Sequence, residues 1–150
     1  MGLKETLQSD LTEAIRSRDE LRSGTIRMVL TAITNEEVAG KEARTLSDEE
    51  IITVLSREAK KRREAAEAFA DAGRADRADR EKAEGDLIAK YLPAQLSDDE
   101  LTAMIAEAIA ATGAAGPADM GKVMGVLKPK IAGKADGSKV SGAVKAALAN

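Results

Sequence analysis

The stretch Tyr91-Leu92-Pro93-Ala94-Gln95-Leu96-Ser97-Asp98-Asp99-Glu100 stops one helix and starts another. Pro93 disfavours helical backbone at Leu92, so a helix arriving from the N-terminal side ends there. Ser97 with Glu100 three residues later has the form of a capping box: each side chain would satisfy a backbone N–H at the helix start. Asp98, Asp99 and Glu100 place negative charge where the helix dipole is positive. The same signature recurs at Ser47-Asp48-Glu49-Glu50. With apolar residues at helical spacing on both sides, these two starts make the chain all-α, and Leu92 to Leu96 becomes its major joint.

Working outward, the spacing predicts seven helices. The first, about residues 3–18, carries Leu3, Leu7, Leu11, Ala14 and Ile15 on one stripe, and Asp19 marks a break. The second has Leu21, Met28, Val29, Ala32 and Ile33, widened by Ile26 and Leu30, and ends near Gly40. The third runs from Ser47 to about Ala72 with Ile51, Ile52, Leu55, Ala59, Ala66 and Phe69, and Gly73 suits a left-handed C-terminal cap. The fourth, roughly 75–91, is charged early and apolar late, through Leu87, Ile88, Tyr91 and Leu92. After the joint come a fifth helix with Leu101, Met104, Ile105, Ala108 and Ile109, and a loop from Thr112 to Pro117. A sixth with Met120, Val123, Met124, Leu127 and Ile131 and a seventh with Val140, Val144, Ala147 and Leu148 flank a turn at residues 132–137. The expected organisation is an N-terminal four-helix region, residues 1–92, a linker at 93–97, and a C-terminal three-helix module at 98–150.

Composition agrees with an all-helical chain. In 150 residues there is one Phe, one Tyr and no Trp. The core must be built from Leu, Ile, Val, Met and Ala, which favours close-packed helices over a sheet. Absences also bound the chemistry. Without cysteine there is no thiolate nucleophile or disulfide, and without histidine the usual base near neutral pH and the commonest zinc ligand are missing. No catalytic residue, metal site or cofactor is expected. The N-terminus lacks the apolar stretch of a signal peptide and no run is long enough to span a membrane, so the cytoplasm is the expected location.

Charge is uneven. Residues 1–115 hold 17 Lys/Arg and 24 Asp/Glu, net −7, whereas residues 116–150 hold six Lys and two Asp, net +4. A basic tail suits an anionic partner, although lysines also solubilise an Ala-rich surface. In the sixth helix Gly121, Gly125 and Lys128 fall on one strip beside the apolar stripe. Glycine inside a helix costs up to about 1 kcal/mol relative to Ala, so two of them call for close packing or for a ligand approaching bare backbone. Pro129 removes the hydrogen bond to the Gly125 carbonyl, and a bend is expected there. In the turn Gly133-Lys134-Ala135-Asp136-Gly137, Gly133 suits a left-handed cap and Asp136 an N-cap, with Lys130, Lys134 and Lys139 around it. The N–H groups at that helix start are a candidate phosphate site.

Other patterns carry less. Gly116 to Lys122 has most of a phosphate-binding G-x-x-x-x-G-K loop, but Val123 stands where Ser or Thr would ligate Mg²⁺, and no strand precedes it. Lys60-Lys61-Arg62-Arg63 is the densest basic run and a secondary basic patch, yet on a helix it spreads around most of the circumference. Asp76, Asp79 and Glu81 lack the turn glycine and closing Glu of a calcium loop. No G-x-S-x-G elbow is present.

The order of these features resembles the GatB/YqeY family. The matching pieces are Leu21-Arg22 with Thr25-Ile26-Arg27-Met28, Ala32-Ile33, Asn35-Glu36-Glu37, Lys60-Lys61-Arg62, Ala72-Gly73-Arg74 and Tyr91 to Ser97. The most specific are Met120-Gly121-Lys122-Val123-Met124-Gly125, then Gly133 to Gly137 and Val140. The family is similar to the C-terminal tail of the B subunit of the tRNA-dependent amidotransferase, and similar modules are fused to some glutaminyl-tRNA synthetases. The resemblance implies a tRNA-binding accessory module without catalysis of its own. Its contacts would be Lys122, Lys128, Lys130, Lys134 and Lys139, with Gly121 and Gly125 allowing close approach and Asp136-Gly137 shaping the turn. Two alternatives stand beside it: an adaptor docking on an aminoacyl-tRNA synthetase or amidotransferase, and a part of a carbon–nitrogen ligase using glutamine as amide donor.

Overall fold

The computed structural model describes residues 2–149 and is all-α. Among the described residues there are seven α-helices and one 3₁₀ turn, with no strand. The helices are α1 (Leu3–Arg16), α2 (Glu20–Glu37), α3 (Asp48–Asp71), α4 (Ala75–Ala89), α5 (Asp98–Thr112), α6 (Met120–Ile131) and α7 (Gly137–Ala149). Both capping boxes form. Ser47 and Ser97 accept from Glu50 and Glu100 N–H at 3.2 and 3.1 Å, and each Glu side chain returns a bond to the Ser N–H. Gly73 takes the left-handed conformation after α3 (φ +74°), and Gly113 does so after α5 (φ +67°). The stretch read as a loop at 112–117 continues into a 3₁₀ turn at Pro117–Asp119, where proline supplies the required φ without needing an N–H.

The chain forms two compact units that divide between Leu92 and Pro93. In the first, Leu7, Ile26, Val29, Ile33, Ile51, Val54, Leu55 and Ile88 close the core, and Leu46 folds in from the α2–α3 loop. That loop is held by Glu37, whose carboxylate accepts from Lys4 at 2.8 Å and from Leu46 N–H at 3.3 Å. The Lys4 bond, then the Leu46 bond, keep the Glu37 carboxyl below its ordinary range. At the α1–α2 break, Arg18 adopts φ +57°, and Asp19 caps α2 by accepting from Arg22 N–H at 3.0 Å. Two expected core residues are displaced. Ile15 and Met28 are 49% and 37% exposed, because the stripe of each helix is narrower than its apolar spacing.

Helices α3 and α4 are joined by three residues and pack as an antiparallel hairpin. Gly85 faces Arg62 across the hairpin, where a Cβ would lie 3.4 Å from Arg62 Cβ, at van der Waals contact. The Arg62 guanidinium lies among Glu58, Glu81 and Glu84 at 3.6, 3.7 and 3.3 Å, and donates to Met28 Sδ on α2. Arg77 covers the Phe69 ring at 5.2 Å. Beyond the end of α4, the Tyr91 hydroxyl donates to Asp10 of α1, whose other oxygen faces Arg22 at 3.8 Å. Burial and that bond push the Tyr91 phenol up to about 12.

In the second unit, α5, α6 and α7 bury Leu101, Ile105, Ala108, Val123, Leu127, Ile131, Val140, Val144 and Leu148 against one another. No aromatic residue takes part.

Candidate nucleic-acid interface

The side of α6 that faces the core is set by Val123, Leu127 and Ile131, spaced four apart and buried. Gly121 and Gly125 are exposed, on the opposite side. Apart from the adjoining backbone of α6 itself, a Cβ built on either would meet no atom of the described residues within 4 Å. Packing among the described residues of this unit therefore does not account for the two glycines, whose positions are exposed. The helix begins from the 3₁₀ turn, where the Asp119 carboxylate accepts from Ala115 N–H at 2.9 Å. That bond, aided by Lys122, holds the Asp119 carboxyl below its ordinary range.

The five expected lysine contacts divide in two. Lys122 lies 3.6 Å from Asp119, and Lys139 pairs with Asp98 at the start of α5, which lowers the Asp98 carboxyl. Lys128, Lys130 and Lys134 are exposed and make no ion pair among the described residues. Lys128 and Lys130 occupy the last turn of α6, where the helix dipole favours a cation. Helix α6 continues through Pro129 to Ile131. Lys134 follows Gly133, which is left-handed as its sequence position requires (φ +73°). Asp136 caps α7: its side chain accepts from Ser138 N–H at 3.2 Å, and Gly137 opens the helix. The Asp136 carboxylate thus takes one of the N–H groups at the helix start that the sequence offers as a candidate phosphate site.

Sequence reasoning missed what fixes the lysine-bearing turn. Gln95 Nε2 donates to the carbonyls of Pro93 and Gly133, both at 2.8 Å, and Leu96 N–H donates to the Lys134 carbonyl at 2.9 Å. A polar residue between a proline and a helix cap is the only signal of this, and it names no partner.

The second basic run does not gather on one face. Lys61 and Arg63 are exposed, Lys60 is half-buried, and Arg62 is 85% buried among the three glutamates, its side-chain exposure being 15%. Lys61 reaches Glu58 at 3.4 Å. Charge also redistributes on folding. The positive residues of the tail share a compact unit with Asp98, Asp99, Glu100 and Glu107 of α5, so six lysines and six carboxylates cancel from residue 93 on. The lysines of α6 and its turn are a local feature of a neutral unit.

Among the described residues no three His, Cys, Asp or Glu side chains come together in a way that would hold a metal ion. No single helix among them is long and apolar enough to cross a membrane.

Comparison with known proteins bears on most of the chain. A family model described as Yqey-like protein matches residues 4–148. Altered inheritance of mitochondria protein 41, mitochondrial, of Candida glabrata is 30% identical over 87 residues, which is 58% of this chain and 48% of that protein. The match thus spans about half the length of that curated relative.

Proposed function

The chain belongs to the Yqey-like protein family, and from that premise we propose that it is a tRNA-binding accessory module, not catalytic by itself, similar to the amidotransferase B-subunit tail. The observation that carries this reading is the outer side of α6. Two glycines leave main chain open on that side, Lys128 shares their strip, and Lys130 and Lys134 follow at the end of the helix and in its turn, the three lysines making no ion pair among the described residues. Such a strip lets a phosphate backbone come close to the helix while fixed positive charges meet it. With one Phe and one Tyr, both in the other unit, base stacking contributes little, so contact is to phosphate and depends on salt.

Replacing Lys128, Lys130 and Lys134 together by Ala is expected to weaken binding to bulk tRNA roughly tenfold or more at low salt and to flatten the salt dependence by about two to three phosphate contacts. Filter binding across a salt series measures both, and far-ultraviolet circular dichroism should show unchanged helicity. An unaltered slope would remove these lysines from the interface. Gly121→Ala with Gly125→Ala separates the two roles of glycine. The pair should stabilise α6 by up to about 1 kcal/mol per site, since no atom obstructs the new Cβ. The same pair should weaken tRNA binding by holding the phosphates off the backbone; full affinity in this more stable variant would exclude close approach.

A second reading, an adaptor docking on a tRNA-charging or amidating enzyme, is favoured by the neutrality of the C-terminal unit. Binding of such a protein would persist at moderate salt, where the tRNA complex dissociates.

A further inference from the structure

A cleft of about 470 Å³ opens in the N-terminal unit between α1, α2 and the end of α4. That volume is within the range of small-molecule sites, about 300–1,000 Å³. Its apolar wall is made by Leu7, Ile26, Val29, Leu87 and Ile88. Asp10, Asp19, Arg22, Thr25, Lys90 and Tyr91 supply its polar groups. Their charges sum to zero, but they differ in what they already hold. Asp10 accepts the Tyr91 hydroxyl, Asp19 accepts Arg22 N–H as the cap of α2, and Thr25 donates to the Leu21 carbonyl at 2.8 Å. The two cations are less engaged. The Arg22 guanidinium meets the Tyr91 hydroxyl and faces Asp10 at 3.8 Å, which leaves most of its five N–H donors uncommitted, and Lys90 is exposed with no ion pair among the described residues.

Internally satisfied carboxylates beside incompletely satisfied cations favour an anion, and the apolar wall calls for a hydrocarbon body. A guanidinium presents a planar fork matched to two oxygens of a carboxylate or phosphate, and an ammonium adds a point charge. We propose that this cleft binds a small amphiphilic anion, its carboxylate or phosphate head on Arg22 and Lys90 and its apolar body along Leu7, Ile26, Val29 and Ile88. The site lies in the N-terminal unit and does not draw on the lysines of α6.

The test titrates the full-length, isotope-labelled protein with octanoate and with octyl phosphate, following amide chemical shifts, with octanol and octyltrimethylammonium as controls. Saturable shifts centred on Arg22, Thr25, Leu87 and Tyr91 are expected with either anion, and the stronger of the two identifies the head group. Octanol, lacking the charge, should bind about tenfold more weakly or less, and the cation should not saturate the cleft. Lys90→Gln, at an exposed position outside the core, should weaken the anions and leave octanol unchanged; Arg22→Gln should do so more strongly. Absence of saturable shifts with both anions through the millimolar range would overturn the proposal. So would equal binding of octanol, or shifts confined to α6 and its turn.

Discussion

Leu127→Ala is expected to unfold the C-terminal unit at room temperature. Leu127 is fully buried at the centre of α6, where it meets a core in which no residue is larger than leucine, isoleucine or methionine. Removing a buried leucine costs about 2–5 kcal/mol, partly as lost transfer energy and partly as the cavity left behind. A unit that runs only from Pro93 to the C-terminus has little to set against this, since one core of such size rarely supplies more than about 3–5 kcal/mol. Native-state hydrogen exchange should show amides of α5, α6 and α7 losing protection together. Leu127→Met, which nearly conserves volume, should cost less than about 1.5 kcal/mol and retain it. Protection at the parental level in Leu127→Ala would mean that the core collapses around the cavity or that the unit is far more stable than its size implies.

The second large effect is expected at Arg62. Its side chain is 15% exposed, and those of Glu58, Glu81 and Glu84 are 13%, 25% and 13% exposed. Three carboxylates thus crowd around one guanidinium where water is scarce. Neither Arg62 Nε nor Glu81 Oε2 makes a well-aligned hydrogen bond although the two are 3.7 Å apart, so attraction there is mainly coulombic. Arg62→Ala leaves the carboxylates facing one another and also opens space beside Gly85. Breaking a buried pair from one side costs about 3–5 kcal/mol; partial solvent access reduces the expectation to about 2–3 kcal/mol. Urea unfolding measures the loss. Adding Glu84→Gln to Arg62→Ala should recover part of it by removing one uncompensated charge. A loss below about 0.5 kcal/mol would place Arg62 among ordinary surface pairs.

What was legible in the sequence follows from the range of the forces involved. Helix starts at Ser47 and Ser97 were readable because a capping box lies within four residues, and the left-handed positions of Gly73 and Gly133 because only local backbone sterics decide them. Arg18 was not readable, since an arginine advertises no left-handed preference; it takes one where α1 ends, with Asp19 N–H bonded back to the Ala14 carbonyl and Arg18 N–H to that of Ile15. Ile15 and Met28 satisfied the helical period but not the packing: periodicity finds a face without measuring how wide the neighbouring helices make it. Long-range polar contacts were invisible. Nothing local in Tyr91 points to Asp10, nor in Gln95 to the Gly133 carbonyl. For the candidate interface, the glycine strip could be read from spacing, but its openness could not, because the sequence does not say whether another helix covers it. The division of the lysines was hidden for the same reason, Lys139 being neutralised by Asp98, 41 positions away.

The placement of Phe69 and Tyr91 gives the two units different visibility to light. Both rings lie before Pro93, and Tyr91 is anchored by its hydroxyl to Asp10. With no tryptophan elsewhere, near-ultraviolet absorbance and intrinsic emission arise almost wholly from the N-terminal unit, and the C-terminal unit is optically silent in that band. Far-ultraviolet signal, carried by helical backbone, reports on both. A thermal scan recorded at the two wavelengths therefore resolves the melting of one unit from the other without any label. A tryptophan introduced on the exposed side of α7 would make the second unit visible alone.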